Sequence, residues 1–386
     1  MQTKARKAAL IFLGAALLPL LLAFSGFFIY DPLQVYHRPW GRQTSLHSNL
    51  RLQAAGVIRH YPFDSVIFGT SMTENTSADE ASGLLGSHFV NISLTASDFV
   101  ERSIVLDYLL RWRKIEQVVF SLDSVYINRR RGYPLFPIST FEFLYDRNPF
   151  NDIRVYLNSH FARCLGRWSG EESCVGRNVG LDHPNAWFRE PEHAERFGGM
   201  ENWCKARDYY QIKDAYEALR KANGKIASGT VNTPSEAELR EAQAQAIRYI
   251  DENVVLHVRS HPETRFHLLF PPYSRALFAI WYQSIPLDAS VHMAVLRHLA
   301  NLASQLPNMD VYGFEGDDFP DDLANYKDLA HYRESFDSLI LKTIASRRNR
   351  LSAGNVEDYI RVASGKARAF DLPALQRRLE QCNGPH

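Results

Sequence analysis

Asp64-Ser65-Val66-Ile67-Phe68-Gly69-Thr70-Ser71-Met72 is the stretch whose reading decides the fold. Its apolar core is short, β-branched and aromatic, and it stops at a glycine, so it reads as a buried strand that ends in a turn. Ser71 then stands just past the carboxyl end of that strand, where open α/β sheets gather their chemistry. The same cadence continues downstream. Ser77 caps a helix over 78–85, 89–94 reads as a second strand, Ser97 or Asp98 caps a helix to Trp112, and 117–122 is a third strand. After a long interruption, 264–270 resumes as a strand, followed by a helix over 289–305, a strand over 309–314, and terminal helices over 333–347 and 356–379 with a break at Pro373. Strands alternating with helices predict an α/β fold with a parallel sheet flanked by helices on both faces.

About 260 residues beyond Ser71 comes Asp328-Leu329-Ala330-His331-Tyr332, an Asp-x-x-His placed after the last predicted strand and just before a helix. A serine hydroxyl is a poor nucleophile near neutral pH. It needs an imidazole to take its proton and a carboxylate to hold that imidazole in one tautomer. Ser71, His331 and Asp328 can fill these three roles.

The segments Ile67-Phe68-Gly69-Thr70-Ser71-Met72-Thr73 and Tyr326-Lys327-Asp328-Leu329-Ala330-His331-Tyr332 resemble the first and last blocks of the SGNH (GDSL-like) hydrolase superfamily, with Gly-Thr-Ser where that family often has Gly-Asp-Ser. More narrowly they resemble its membrane-anchored bacterial branch, which includes the alginate O-acetyltransferases and the D-alanine transfer protein of teichoic acid systems. The resemblance implies an SGNH-like three-layer fold and acyl transfer on a cell-surface or exported polysaccharide. It also implies a membrane-bound O-acyltransferase as partner, and no cofactor. Carbohydrate ester hydrolysis and a non-catalytic glycan-binding or assembly role are the alternatives. Family members usually add a glycine in a second block and an asparagine in a third, both aimed at the developing oxyanion. Here those regions read Asn91-Ile92-Ser93-Leu94-Thr95-Ala96-Ser97 and Ser121-Leu122-Asp123-Ser124, without either residue, which leaves the backbone at Ser71 or Met72, Asn91 and Ser97 as oxyanion candidates.

The amino terminus carries a separate signal. No charged residue occurs from Ala8 to Tyr30, long enough for a helix to cross a bilayer, and Lys4, Arg6 and Lys7 precede it. The positive-inside rule then keeps the tip cytoplasmic and exports the rest to the periplasm, as a single-pass protein of the bacterial inner membrane. A cleaved signal peptide is the alternative, with Ala23-Phe24-Ser25 as its site. Cys164, Cys174, Cys204 and Cys382 form an even set without Cys-x-x-Cys spacing, and an oxidising compartment permits two disulfides. Pairing Cys164 with Cys174 and Cys204 with Cys382 is the simplest of the three connectivities that four cysteines allow.

The resulting division is 1–30 as tip and anchor, 31–60 as a juxtamembrane connector, and 61–386 as the catalytic domain. An insertion at about 128–260, with one long helix over 234–257, lies over the sheet's active edge. A formal net charge of +1 and the lack of a basic helix interleaved with aromatics set nucleic-acid binding aside. His257, His261 and His267 have no acidic partner in register, so no metal is expected. Arg129 and Arg130, past the third strand, and Tyr273 and Tyr332 are substrate-binding candidates. Trp168, Trp187, Trp203, Tyr209 and Tyr210 are aromatics of the kind that stack on sugar rings, although such residues more often belong to a core.

Overall fold

The computed structural model describes residues 2–128, 134 and 136–382. They pack as two compact units. The first takes the described residues up to Pro62 together with Phe136–Gly180, and the second takes the rest. The segment at 128–260 is therefore not one insertion: it is shared between the units, and 31–60 belongs with its first part.

The second unit is built on a six-stranded sheet in the order β2-β1-β3-β4-β5-β6. Its strands are β1 (Ser65–Phe68), β2 (Phe89–Asn91), β3 (Gln117–Ser121), β4 (Arg265–Leu269), β5 (Met309–Tyr312) and β6 (Arg350–Leu351). All neighbours run parallel except β6, which pairs antiparallel with β5. Strand order reverses between β1 and β3, and the carboxyl ends flanking such a reversal form the crevice of a doubly wound sheet. Ile67 and Phe120 illustrate why both faces are covered. Ile67 and Val119 join a core with helices Ala78–Leu85 and Glu334–Ala345, while Phe68 and Phe120 pack on the other side with Phe99 of helix Phe99–Trp112. β1 and the centre of β3 thus bury apolar side chains on both faces, as a parallel sheet between helices requires.

Helix starts obey local chemistry. The Ser77 side chain accepts from Glu80 N, and Asp98, not Ser97, caps helix Phe99–Trp112 by accepting from Glu101 N. Past the third strand the chain holds two long helices, Tyr210–Ala227 and Glu236–Ile250, the second opened by a Ser235/Glu238 capping box and followed by one π-helical turn. The first of these escaped the sequence reading because Gly224 and its polar neighbours dilute the apolar stripe. The terminal helix divides at Phe370, and Pro373 takes the second position of Leu372–Gln381, where its missing N–H costs nothing. Cys204 and Cys382 are bonded in this unit.

The first unit gathers around the end of the apolar helix Gln2–Tyr30. Of this helix, Leu10–Tyr30 has a mean hydropathy of 2.3 and is long and apolar enough to cross a membrane. Its last turn is not a free tether, because Phe27 stacks on Tyr156 and Tyr30 on Trp168. Asp31 then ends the helix: its buried carboxylate accepts from the N–H groups of Val35, Tyr36 and His37 and from the Tyr156 hydroxyl. Little regular structure follows beyond helices Ala54–His60 and Ser159–Arg167 and a single bridge between Leu46 and Arg177. The Cys164–Cys174 disulfide closes a short loop here.

Candidate active site

Gly69 ends β1 because nothing larger fits. A Cβ there would lie 2.7 Å from Ser121 Cβ and would also collide with the Thr73 hydroxyl. The chain then winds through two tight turns, with Thr73 N donating to Thr70 O and Thr76 N to Thr73 O. Four side chains fix this coil. Thr70 Oγ1 donates to Asp123 Oδ1 at 3.0 Å, the Tyr332 hydroxyl donates to Met72 O at 2.7 Å, and Trp187 Nε1 donates to Ser71 O at 2.9 Å. Asn91 Nδ2 ties the coil to β2 by donating to Thr73 O and Thr76 O. Beneath lies a buried pair, Arg102 with Asp123 at 3.2 Å. Burial pushes the Asp123 carboxyl up, while Arg102 and the Thr70 hydroxyl pull it down.

On this platform Ser71 Oγ lies 3.0 Å from His331 Nε2, and His331 Nδ1 lies 2.8 Å from Asp328 Oδ2. The loop that carries the latter pair is closed by a bridge between Tyr326 and Tyr332, and Leu329 O accepts from both the N–H and the hydroxyl of Ser274. Asp328 Oδ1 accepts from the N–H groups of Ala330 and His331, which orients the carboxylate before it meets the ring. Burial alone would raise the Asp328 carboxyl, yet His331, Lys327 and these bonds hold it well below the usual carboxylate range. It is therefore an anion throughout the physiological range, the form that fixes an Nδ1–H tautomer and leaves Nε2 as the acceptor facing Ser71.

Trp187 does more than hold Ser71. Its ring meets the His331 ring edge-on with centroids 5.6 Å apart, and Asn75 Oδ1 receives its backbone N–H. Lys327 Nζ lies 3.9 Å above the Trp187 ring and 2.8 Å from His193 Nδ1. Burial pushes the Lys327 ammonium down to about 8, against the pull of Asp328. Burial together with Lys327 and Arg196 pushes His193 down to about 4, so the neutral ring accepts from the ammonium. Of the two roles the sequence offered Trp187, sugar stacking or core, the structure shows the buried one, as a wall of the site. Lys327 and His193 carried no signal, since their meeting depends on two loops distant in the chain.

The oxyanion candidates fare differently from the Ser-His-Asp line. The Met72 N–H donates to Thr70 Oγ1, Asn91 spends both amide nitrogen bonds and its Oδ1 on backbone, and the Ser97 hydroxyl donates to Gly69 O. All are committed to holding the turns. Among the described residues none accepts from the backbone N–H of Ser71. The turn closed by Ser97 N to Leu94 O, tied to β1 by Leu94 N donating to Gly69 O, puts Ala96 at φ +53°, the left-handed geometry that glycine ordinarily supplies. A search of this region for a glycine finds none, yet the backbone shape is present.

Tyr273 and Tyr332 are not substrate contacts, because both are buried. The Tyr273 oxygen accepts from the Ser124 N–H and hydroxyl, and Tyr332 holds Met72. Arg129 and Arg130 lie outside the described residues. Trp203 is fully buried and donates to Tyr326 O, whereas Tyr210 is exposed beside Tyr209. His257, His261 and His267 each take a separate partner, Ser103, Glu263 and Gln117. The 310 Å³ and 350 Å³ cavities of this unit are lined by other residues, while Ser71 and His331 themselves are half-buried at the surface. Comparison with protein-family models, with curated proteins and with solved structures gave no match to this chain.

Proposed function

We propose that this chain is a membrane-anchored, SGNH-like serine O-acyltransferase. It moves an acyl group, acetyl in the simplest case, onto a hydroxyl of a cell-surface or exported polysaccharide. The observation that carries the reading is the hydrogen-bonded line from Ser71 Oγ through His331 to Asp328. In the reaction, Ser71 Oγ attacks the acyl carbonyl carbon and its proton passes to His331 Nε2. The tetrahedral intermediate collapses, His331 returns that proton to the leaving oxygen, and the acyl group stays on Ser71. A sugar hydroxyl then attacks the acyl carbon while its proton passes to His331, and as the bond to Ser71 Oγ breaks His331 hands that proton to Oγ, which releases the acylated sugar and regenerates the Ser71 hydroxyl. The Ser71 N–H, which no described residue accepts from, is the donor we assign to the oxyanion.

Three features support the anchored, exported setting. Phe27 and Tyr30, the last residues of the apolar helix, are 5% and 4% exposed within the first unit, so cleavage at Ala23-Phe24-Ser25 would sever a helix whose end is part of the fold. Lys4, Arg6 and Lys7 favour a cytoplasmic tip. Both disulfides suit the periplasm. A membrane-bound O-acyltransferase supplying the donor is the partner this reading calls for. Hydrolysis is the second reading, favoured by the partial exposure of Ser71 and His331, which lets water reach the acyl-enzyme.

A fluorophosphonate probe tests the core of the proposal. Wild type should label and Ser71→Ala should not. Equal labelling of both, or of neither, rejects an activated serine. Incubating labelling-competent protein with p-nitrophenyl acetate, with and without an oligosaccharide acceptor, then separates transfer from hydrolysis by the appearance of acetylated sugar.

A further inference from the structure

The first unit holds an apolar cleft of about 470 Å³ that the acyl-transfer reading does not use. One wall is the end of the apolar helix, Phe24, Phe28 and Ile29, and the other is Pro149, Phe150 and Ile153. Phe150 is 87% exposed. Leaving a phenylalanine in water forgoes the free energy of burying its ring, and the loop that carries it is built to present it. Asn148 N donates to Asp146 Oδ1, Phe150 N to Asn148 Oδ1, and Asn151 Nδ2 to Asp146 Oδ2, so the tip is stiffened by its own side chains.

Depth follows from the helix. Leu10–Tyr30 is 21 residues and rises about 31 Å at 1.5 Å per residue, against a hydrocarbon core of about 30 Å. Phe24 to Ile29 therefore lie at the far edge of the hydrocarbon if the helix spans, and Pro149 to Ile153, facing them across the cleft, lie at the same depth. Two more aromatics ring this level. Trp40, 60% exposed, is 6.1 Å from the Phe28 ring, and Trp168, 58% exposed, packs on Tyr30. Exposed tryptophans at the end of an apolar span are the mark of the membrane–water interface. Leu165 of helix Ser159–Arg167 packs over Gly26, and that helix exposes Arg163 and Arg167, cations suited to lipid phosphates.

We propose that the first unit sits in the outward-facing leaflet, with the cleft holding a phospholipid acyl chain and Arg163 and Arg167 meeting headgroup phosphates. The inference rests on the membrane-anchor reading. Lipid is the occupant because the helix that forms one wall is the segment the bilayer must surround.

The test reconstitutes the full chain into phosphatidylethanolamine/phosphatidylglycerol vesicles doped with a phospholipid bearing a diazirine in its acyl chain, followed by photolysis and peptide mapping. Label on Pro149–Ile153 as well as on the apolar helix is expected. Phe150→Asp should lose the label at 149–153, keep it on the helix, and retain the Cys164–Cys174 bond as the sign of an intact fold. Label on the helix alone in wild type overturns the cleft while sparing the anchor. No label anywhere overturns both. Label at 149–153 in pure vesicles that vanishes in native membranes assigns the cleft to another protein's apolar helix, and also overturns the proposal.

Discussion

The second unit sets Ser71 just past the end of β1 and joins it to a loop that carries Asp328 and His331, whereas the first folds around one helix terminus with almost no sheet. In the second, Ser71 follows β1, whose course is set by parallel ladders on both sides, while Asp328 and His331 sit in a loop closed by the bridge between Tyr326 and Tyr332. In the first, a single buried carboxylate, Asp31, receives three backbone N–H groups and replaces the ladder that is missing. The contrast teaches where chemistry can be held. A nucleophile and its base need positions fixed to a fraction of an ångström, which regular structure supplies, while a surface that meets a fluid medium needs only the right polarity at the right depth.

The comparison can be broken or sharpened by experiment. The largest expected effect is on activity: His331→Ala should lower acyl transfer or probe labelling by about 10³-fold or more, as loss of one triad member does. Substitution of Asp31 by Ala should leave the per-molecule rate of folded protein unchanged. If both variants lose labelling alike, the division of labour between the units is wrong.

Next come the disulfides. Chain-entropy arguments give about 5 kcal/mol for the Cys204–Cys382 closure, separated by 178 residues, and about 3 kcal/mol for Cys164–Cys174, separated by 10. Paired Cys→Ser variants followed by urea unfolding should show the larger loss in the sheet unit. A larger loss from the short loop would mean that the first unit depends on its bond more than its size suggests.

A smaller effect concerns acid. Because the Asp328 carboxyl is held below its ordinary value, its contribution to stability is present above the unfolded value of about 3.9 and is lost as pH falls below it. Between pH 5 and pH 2.5 the unfolding midpoint of wild type should therefore fall more steeply than that of Asp328→Asn. Parallel slopes would show that the carboxylate gains nothing from its partners. The smallest expected change is a gain: Ala96→Gly should raise stability by about 0.5–1 kcal/mol by relieving a left-handed alanine, read as a higher urea midpoint.

The sheet was legible because parallel strands buried on both faces leave short β-branched and aromatic runs, as at Ile67, Val119 and Leu268, the first ending in Gly69 and the last in Pro271. The cap at Ser77 was legible for the same local reason, since it acts within one turn, whereas the Ser235/Glu238 capping box lay inside the helix that the sequence placed over 234–257. Ser71, His331 and Asp328 could be picked as candidates from residue type and chain order. β6 was not, because two residues carry no periodicity and its place beside β5 is settled by the turn before it. Nor was the boundary between units, since Phe136–Gly180 joins the N-terminal segment through contacts that no local pattern encodes.

By itself the sequence determined an apolar amino-terminal helix, an alternating α/β chain, and a serine, a histidine and an aspartate at the expected ends. Only the tertiary structure decided that these three side chains form one hydrogen-bonded line, that Trp187 and Lys327 wall it, and that Met72, Asn91, Ser97, Tyr273 and Tyr332 are spent on support. The reason is physical. Periodicity and capping are properties of neighbours along the chain, whereas a donor's partner is whichever acceptor the packed core brings within about 3 Å, and that choice is made across separations of more than a hundred residues.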